Sequence, residues 1–126
     1  MVKFPRHSSA RTSAKTIVVS RQGEPLLLQV LHADNFVRRL RGLLGYQQLG
    51  PQDGMLLSPC HQVHTIGMSF AIDVVFLDTS GFIIGCVENL MPNRLASKTG
   101  AHHTLEIAQG GIERSVILPG QKLSWG

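Results

Sequence analysis

CHQVHTIGMSFAIDVVFLD, from Cys60 to Asp78, joins a cluster of polar residues to an apolar strand. A Cys, two His and a Met fall within nine positions, and the apolar run Ala71–Leu77 that follows is typical of a strand. In a strand Asp73 shares one face with Val75 and Leu77, and the other face is apolar throughout. Because both faces are apolar, Asp73 is predicted to be buried. A buried carboxylate must be hydrogen-bonded, paired or protonated.

Short strands separated by Gly- and Pro-containing turns fill most of the remaining chain. Two of them are predicted to pair as a hairpin across RQGEP, and one returns antiparallel to Ala71–Leu77 after the turn DTSG. A final pair is predicted around Pro119-Gly120. The predicted strands are Lys15–Ser20, Leu26–Leu31, Met55–Leu57, Phe82–Val87, Thr104–Ala108, Ser115–Leu118 and Lys122–Trp125. This pattern predicts a mainly β fold, a sandwich or an open barrel of short antiparallel strands.

One short helix is predicted over Asp34–Leu44. Asp34 is a suitable N-cap, and the apolar residues of this segment fall in one arc of a helical wheel. Arg39 lies at the edge of that arc. It is predicted either to extend along the core to an acceptor or to reach solvent.

The charge of the chain is concentrated at its start. The net charge is +4, and five Lys or Arg precede Gln22 without any acid, which leaves 12 − 5 = 7 basic against 8 acidic residues. We expect residues 1–14 to form a basic, disordered arm and residues 15–126 to form one globular domain. Without interleaved aromatic residues nucleic-acid binding is not favoured. No run is long enough to span a membrane and no secretory signal is evident, so a cytoplasmic location is expected.

Two groups of residues are candidates for metal ligation. His61 and His64 have a spacing that metal sites use, and Cys60 adds a thiol. A site would need tertiary folding to join Cys60 and His64 to His102 and Glu106. No second ligand pair of a zinc signature is nearby, so no cofactor is predicted.

The sequence leaves open the reactivity of Cys60 and its pairing with Cys86. Cys60 beside His64 is also a candidate nucleophile, although no orienting group is identifiable. The sequence does not decide whether Cys60 and Cys86 are paired.

Glu106 alternates with Leu105 and Ile107 in a predicted strand. This alternation is compatible with a solvent-facing position of a half-buried strand or with a place in a polar groove. Asp73 likewise has two interpretations, a structural hydrogen-bond network or contact with a ligand.

Several stretches together resemble domain-of-unknown-function family 192. They are RRLRGLLG (Arg38–Gly45), DGMLL (Asp53–Leu57), VHTIGMSFAIDVVFLDTSG (Val63–Gly81), TLEIAQGG (Thr104–Gly111) and LPGQKLSW (Leu118–Trp125). The chain is similar to a branch with Val-His-Thr-aromatic-Gly-Met, and Ile66 stands at the aromatic position. The resemblance implies a compact, mainly β domain and no established activity. It also implies that Arg39, His64, Asp73 and Glu106 belong together as recurrent polar positions.

The leading hypothesis is a binding or accessory domain for an unknown small molecule or protein. Its predicted groove is lined by Arg39, His64, Thr65, Met68, Asp73 and Glu106. The alternative is a small hydrolase or lyase, with or without a metal ion, in which His64 acts with Asp73 or Glu106. A third hypothesis is structural, with a buried Arg39–Asp73 pair that holds the helix to the sheet.

Overall fold

The structure, a computed structural model, describes residues 15–33 and 48–126. The predicted arm 1–14, the predicted helix Asp34–Leu44 and Arg39 lie outside the described residues. The described strands are β1 (Lys15–Ile17), β2 (Val19–Arg21), β3 (Glu24–Pro25), β4 (Gln29–Ala33), β5 (Asp53–Leu57), β6 (Gln62–His64), β7 (Ile72–Leu77), β8 (Ile83–Leu90), β9 (Leu95–Ser97), β10 (His103–Ala108) and β11 (Leu123–Trp125). One helical turn, α1 (Gly111–Arg114), follows β10.

A six-stranded sheet in the order β1-β4-β5-β10-β7-β8 forms the centre of the fold. Four of the five strand pairings in this sheet are antiparallel, as predicted, but β4 and β5 run parallel from Gln29↔Asp53 to Ala33↔Leu57. The parallel pair is possible because the chain between the two strands is long enough to cross over. Strand β7 is buried at every residue because both faces of the sheet are covered.

Each face of the central sheet packs against a different apolar cluster. Val75 and Leu77 belong to the face covered by β2, β11 and α1, which we call the α1 face. Ile72, Val74 and Phe76 belong to the opposite face, which is covered by the ribbon β6–β9 and which we call the ribbon face. The two-sided burial predicted for this strand is therefore confirmed.

Two smaller sheets complete the described fold. The first has the order β11-β2-β3, and the second is the antiparallel ribbon β6–β9. The strands of the predicted N-terminal hairpin belong to two different sheets. Strand β1 pairs with β4 in the central sheet, whereas β2 pairs with β3 in the three-stranded sheet. The predicted pairing of Lys122–Trp125 with Ser115–Leu118 is wrong: β11 pairs with β2. The mainly β, sandwich-like fold class is confirmed, and the described strands form no closed barrel.

Candidate functional site

Asp73 is a buried hydrogen-bond acceptor that joins three elements. Its side chain is 1% exposed on the α1 face of β7. Oδ1 accepts the backbone N–H of Asn89 in β8 at 2.9 Å, and Oδ2 accepts the N–H of Ile112 in α1 at 3.0 Å. Backbone N–H groups therefore satisfy both oxygens, which corresponds to the first of the two interpretations of Asp73, a structural hydrogen-bond network.

The chain needs this acceptor because α1 has no side-chain cap of its own. Residue Gly110, at the N-cap, is left-handed with φ 86°, and it carries no side chain to accept the N–H groups of the first turn. Asp73 supplies the missing oxygen from a neighbouring strand. It thus positions α1, whose last residue is Arg114.

Arg114 folds back from α1 over the end of β10. Its Nη1 donates to the carbonyl of Gln109 at 3.2 Å and its Nη2 to the carbonyl of Pro51 at 3.1 Å. A Cβ at Gly110 would lie 2.6 Å from Arg114 Nη1, so a glycine is required there for this position of the guanidinium. Both acceptors are neutral, and they use two of the five N–H donors of the guanidinium.

An open pocket of about 250 Å³ lies beside this guanidinium. Its wall combines apolar side chains with amides and one cation. The lining residues are Gln48, Leu49, Pro51, Phe70, Ala71, Ala108, Gln109 and Arg114. We call it the Arg114 pocket. A second pocket of about 410 Å³, near Leu27 and Leu28, shares Pro51 and Arg114 with it, so the arginine lies between the two.

Glu106 is buried in β10, the strand whose last residue, Ala108, lines the Arg114 pocket. It is 4% exposed, so the solvent-facing alternative of the sequence analysis is wrong. It pairs with Met55 and Val74, residues of the ribbon face, and it lies two residues before Ala108 on that same face. Among the described residues, its buried Oε1 has no hydrogen-bond partner. Burial raises the pKa of its carboxyl to about 8, so the group is mainly protonated at neutral pH.

The Val-His-Thr-Ile-Gly-Met stretch is held in the ribbon and its following turn. His64 is exposed in β6, and its Nδ1 accepts the N–H of Ile66 at 3.3 Å. Thr65 is fully buried, donates its hydroxyl to the carbonyl of Met91 and accepts the N–H of Arg94. Met68 packs in the ribbon-face cluster.

The structure brings some of the predicted groove residues together and separates others. Thr65 and Met68 lie near His64 on the ribbon side. Asp73 and Glu106 belong to neighbouring strands, but their side chains lie on opposite faces of the sheet, since Asp73 pairs with Ile107 and Glu106 with Val74. No hydrogen bond among the described residues joins His64 to either carboxylate.

A cluster of His32, Ser58 and His103 was not found by sequence reasoning. Ser58 Oγ lies 2.6 Å from His103 Nδ1 and 3.3 Å from His32 Nε2. The pKa of His103 is lowered mainly by desolvation and, to a smaller extent, by the neighbouring His102 and His32. The three residues are far apart in sequence, so only the pairing of β4, β5 and β10 brings them together, and no local pattern signals the cluster.

The candidate metal ligands do not form a ligand set in the part of the chain that is described. Within residues 15–33 and 48–126, no three His, Cys, Asp or Glu side chains are placed to hold a metal ion. The backbone N–H of Cys60 donates to the carbonyl of His102, and the Cys60 thiol donates to the carbonyl of Gln62. Cys60 and Cys86 form no disulfide with each other. Burial, then Glu88 and Asp73, raises the pKa of the Cys86 thiol.

These features define a mainly β domain with a mixed central sheet, a short arginine-bearing turn at one end and a small pocket beside it. The chain belongs to domain-of-unknown-function family 192 (DUF192), described as Uncharacterized ACR, whose profile matches residues 17–125. The family resemblance seen in the motifs is therefore confirmed. No curated protein sequence matches the chain.

Two solved structures are similar in fold. A protein of unknown function from Novosphingobium aromaticivorans DSM 12444 has a TM-score of 0.76 at 20% identity, covering 89% of this chain and 85% of that one. A putative transcription regulator from Sinorhizobium meliloti 1021 has a TM-score of 0.76 at 22% identity, covering 89% and 93%. At these identities the likeness shows a shared fold. Within the described residues no helix is long and apolar enough to cross a membrane.

Proposed function

We propose that this protein is a binding domain for a small organic carboxylate, which it holds in the Arg114 pocket. The observation that carries the proposal is the guanidinium of Arg114, fixed at the pocket by two neutral carbonyls. Because those acceptors carry no formal charge, the cation remains available for an anion. Arginine binds carboxylates through two parallel N–H donors.

The pocket favours an anion with a flat apolar body. Phe70 and Leu49 supply the apolar wall, and Gln48 and Gln109 supply amides. A volume of about 250 Å³ accommodates a molecule the size of a single substituted ring. In this proposal Asp73 is a positioning residue, since it holds α1 and therefore Arg114, and it does not contact the ligand.

Benzoate and its neutral isostere benzamide are suitable probes. Titrations followed by NMR of the full chain compare wild type, Arg114→Gln and the control Arg94→Gln, an exposed arginine on the ribbon side. We expect saturable binding of benzoate that weakens by about tenfold or more in Arg114→Gln, because a charge-assisted bidentate contact contributes about 2 kcal/mol. Arg94→Gln is expected to bind as wild type does.

The proposal fails if benzoate does not bind, if benzamide binds equally well, or if Arg94→Gln and Arg114→Gln lose the same affinity. The perturbed resonances also locate the ligand. They should belong to Phe70, Gln109 and their neighbours, and shifts confined to other surfaces would contradict the assignment.

A small hydrolase is the second candidate function, and the pair Ser58–His103 is the observation that favours it. A serine hydroxyl within 2.6 Å of a histidine nitrogen is the arrangement of a nucleophile and its base. The lowered pKa of His103 keeps that imidazole neutral and able to accept a proton.

A fluorophosphonate tests this candidate directly. Ser58 Oγ would form a bond to phosphorus, fluoride would leave, and the hydroxyl proton would pass to His103. Mass spectrometry of the labelled protein should then find the adduct on Ser58 in wild type and not in Ser58→Ala. An unlabelled Ser58 in the folded protein counts against hydrolase activity at this site.

A further inference from the structure

The ribbon β6–β9 and its flanking turns carry basic residues without any acid. Residues 58–72 and 89–105 contain no Asp or Glu, so all eight acidic residues of the chain lie elsewhere. Arg94, Lys98, His61, His64 and His102 in these two segments are all exposed. Arg94 and Lys98 are the formal cations of these segments, and neither segment carries a carboxylate of its own to offset them.

Large apolar side chains are exposed among these basic residues. Ile66 is 55% exposed, Met91 50% and Leu95 61%. Leu95 pairs directly with His64, so both side chains lie on the outer face of the ribbon, whereas Val63 and Ala96 pack inward. The exposed residues of the ribbon and its turns form what we call the ribbon surface: His61, Gln62, His64, Ile66, Met91, Arg94, Leu95, Ser97 and Lys98.

The same hydrogen bonds that bury Thr65 hold this surface together. The hydroxyl of Thr65 bonds the carbonyl of Met91, and its backbone N–H bonds the carbonyl of Arg94. The turn after β6 and the turn before β9 are therefore fixed side by side, with Ile66 and Met91 at their outer edges. The exposed Arg94 and Lys98 flank β9 at the two ends of this framework, and the aliphatic part of Lys98 lies beside Gly85 of β8.

We infer that the ribbon surface binds anionic lipid headgroups, with Ile66, Met91 and Leu95 entering the apolar boundary of the bilayer. Peripheral proteins use this combination, since apolar insertion and attraction of Lys or Arg to anionic lipid add to each other. A fluid surface requires no shaped cavity, and no residue of the ribbon surface lines the Arg114 pocket, the pocket near Leu27 or a further pocket between Cys86 and Leu118. The ribbon surface carries no Phe, Tyr or Trp, which disfavours base stacking with a nucleic acid.

Vesicle co-sedimentation of the full chain tests this inference. Vesicles of phosphatidylcholine mixed with phosphatidylglycerol are compared with vesicles of phosphatidylcholine alone, at low and at physiological salt. We expect binding to the anionic vesicles only, and weaker binding as salt rises. Arg94→Gln with Lys98→Gln should lower the partition coefficient about fivefold for each charge removed.

Matched substitutions on other parts of the surface separate the ribbon from general charge or hydrophobicity. Leu118 is 55% exposed, so Leu118→Ser is the control for Leu95→Ser. The exposed Lys122, whose Nζ lies 5.3 Å from the centre of the Phe82 ring, gives the control Lys122→Gln for the charge variants. We expect both controls to bind as wild type does and Leu95→Ser to bind more weakly.

Three outcomes would overturn the inference. The first is that wild type does not sediment with anionic vesicles. The second is that the control variants lose as much binding as the ribbon variants. The third is that binding depends on the basic residues before position 15 and not on the ribbon surface. The last case is recognised with a variant in which Lys3, Arg6 and Arg11 are all Gln. If that variant alone loses binding, the arm and not the ribbon surface contacts the lipid.

Discussion

Replacing Asp73 by Ala should be among the most destabilising substitutions in this protein. The change removes two hydrogen bonds from a carboxylate that is 1% exposed, and it leaves the N–H groups of Asn89 and Ile112 without their acceptor. A hydrogen bond to a charged group contributes about 1.5–3 kcal/mol, so two predict a loss of roughly 4 kcal/mol. At about 2.1 cal/mol/K per residue, that loss lowers Tm by roughly 15 °C.

Asp78 provides the matched control because it makes the same number of backbone contacts near the surface. Its Oδ1 accepts the N–H groups of Ser80 and Phe82, each at 2.9 Å, in an exposed turn. Water can replace that oxygen, so Asp78→Ala should cost only about 1 kcal/mol. Asp73→Asn retains one acceptor oxygen and should lie between the two alanine variants.

Urea unfolding at neutral pH, with the m-value fitted for each variant, measures these differences. Equal free energies of unfolding for Asp73→Ala and Asp78→Ala would refute the reasoning, because burial would then not strengthen the contacts. An m-value that changes strongly in Asp73→Ala would indicate instead that the reference state had changed.

Three further predictions follow from single groups. Burial raises the pKa of Glu106 from 4.5 to about 8, so the folded state retains a proton that the unfolded chain loses as the pH rises. The free energy of unfolding should therefore fall by about 4 kcal/mol between pH 5 and pH 8 in wild type, and by much less in Glu106→Gln. An equal fall in both proteins, measured by urea unfolding at the two pH values, would contradict the assignment. Gly110→Ala should lower Tm more than Gly120→Ala. Both positions have positive φ, but only at Gly110 would the added Cβ meet Arg114. Equal values of Tm for the two variants in thermal melts would contradict that contact. His103 should be mainly neutral at pH 6.5, its ordinary pKa, because its pKa is lowered; ¹⁵N NMR of the imidazole reports this, and a predominantly protonated ring would contradict it.

The centre of the fold could be predicted from the sequence because a continuous apolar run within one strand indicates burial on both faces. The apolar residues on both faces of β7 required a layer on each side, and both layers are present. The turn DTSG was equally local: Gly81 has φ 92°, and its N–H bonds the carbonyl of Asp78. Such features depend on few neighbouring residues.

The site was less predictable because its contacts are long-range. The alternation of apolar residues with Glu106 is the same whether the carboxyl faces solvent or is buried without a partner. The two-residue periodicity of the strand therefore cannot distinguish an exposed from a buried Glu106. Ser58 and His103 are 45 residues apart, and nothing near either residue indicates the other. Arg114 has one local signal, the pair Gly110-Gly111 before it, but a glycine pair after a strand does not by itself distinguish the end of the strand from the start of a helical turn.

The stretch TLEIAQGG (Thr104–Gly111) is better understood as one structural unit with Asp73 than as a set of separate site residues. Gly110 turns the chain, Asp73 caps the helical turn that results, and that turn places Arg114 against the pocket. A substitution at Asp73 should therefore reduce both stability and benzoate binding, whereas Arg114→Gln should reduce binding alone, since its side chain is exposed. Loss of binding without loss of stability in Arg114→Gln would assign function to the arginine. Loss of both would mean that the guanidinium mainly ties α1 to Pro51.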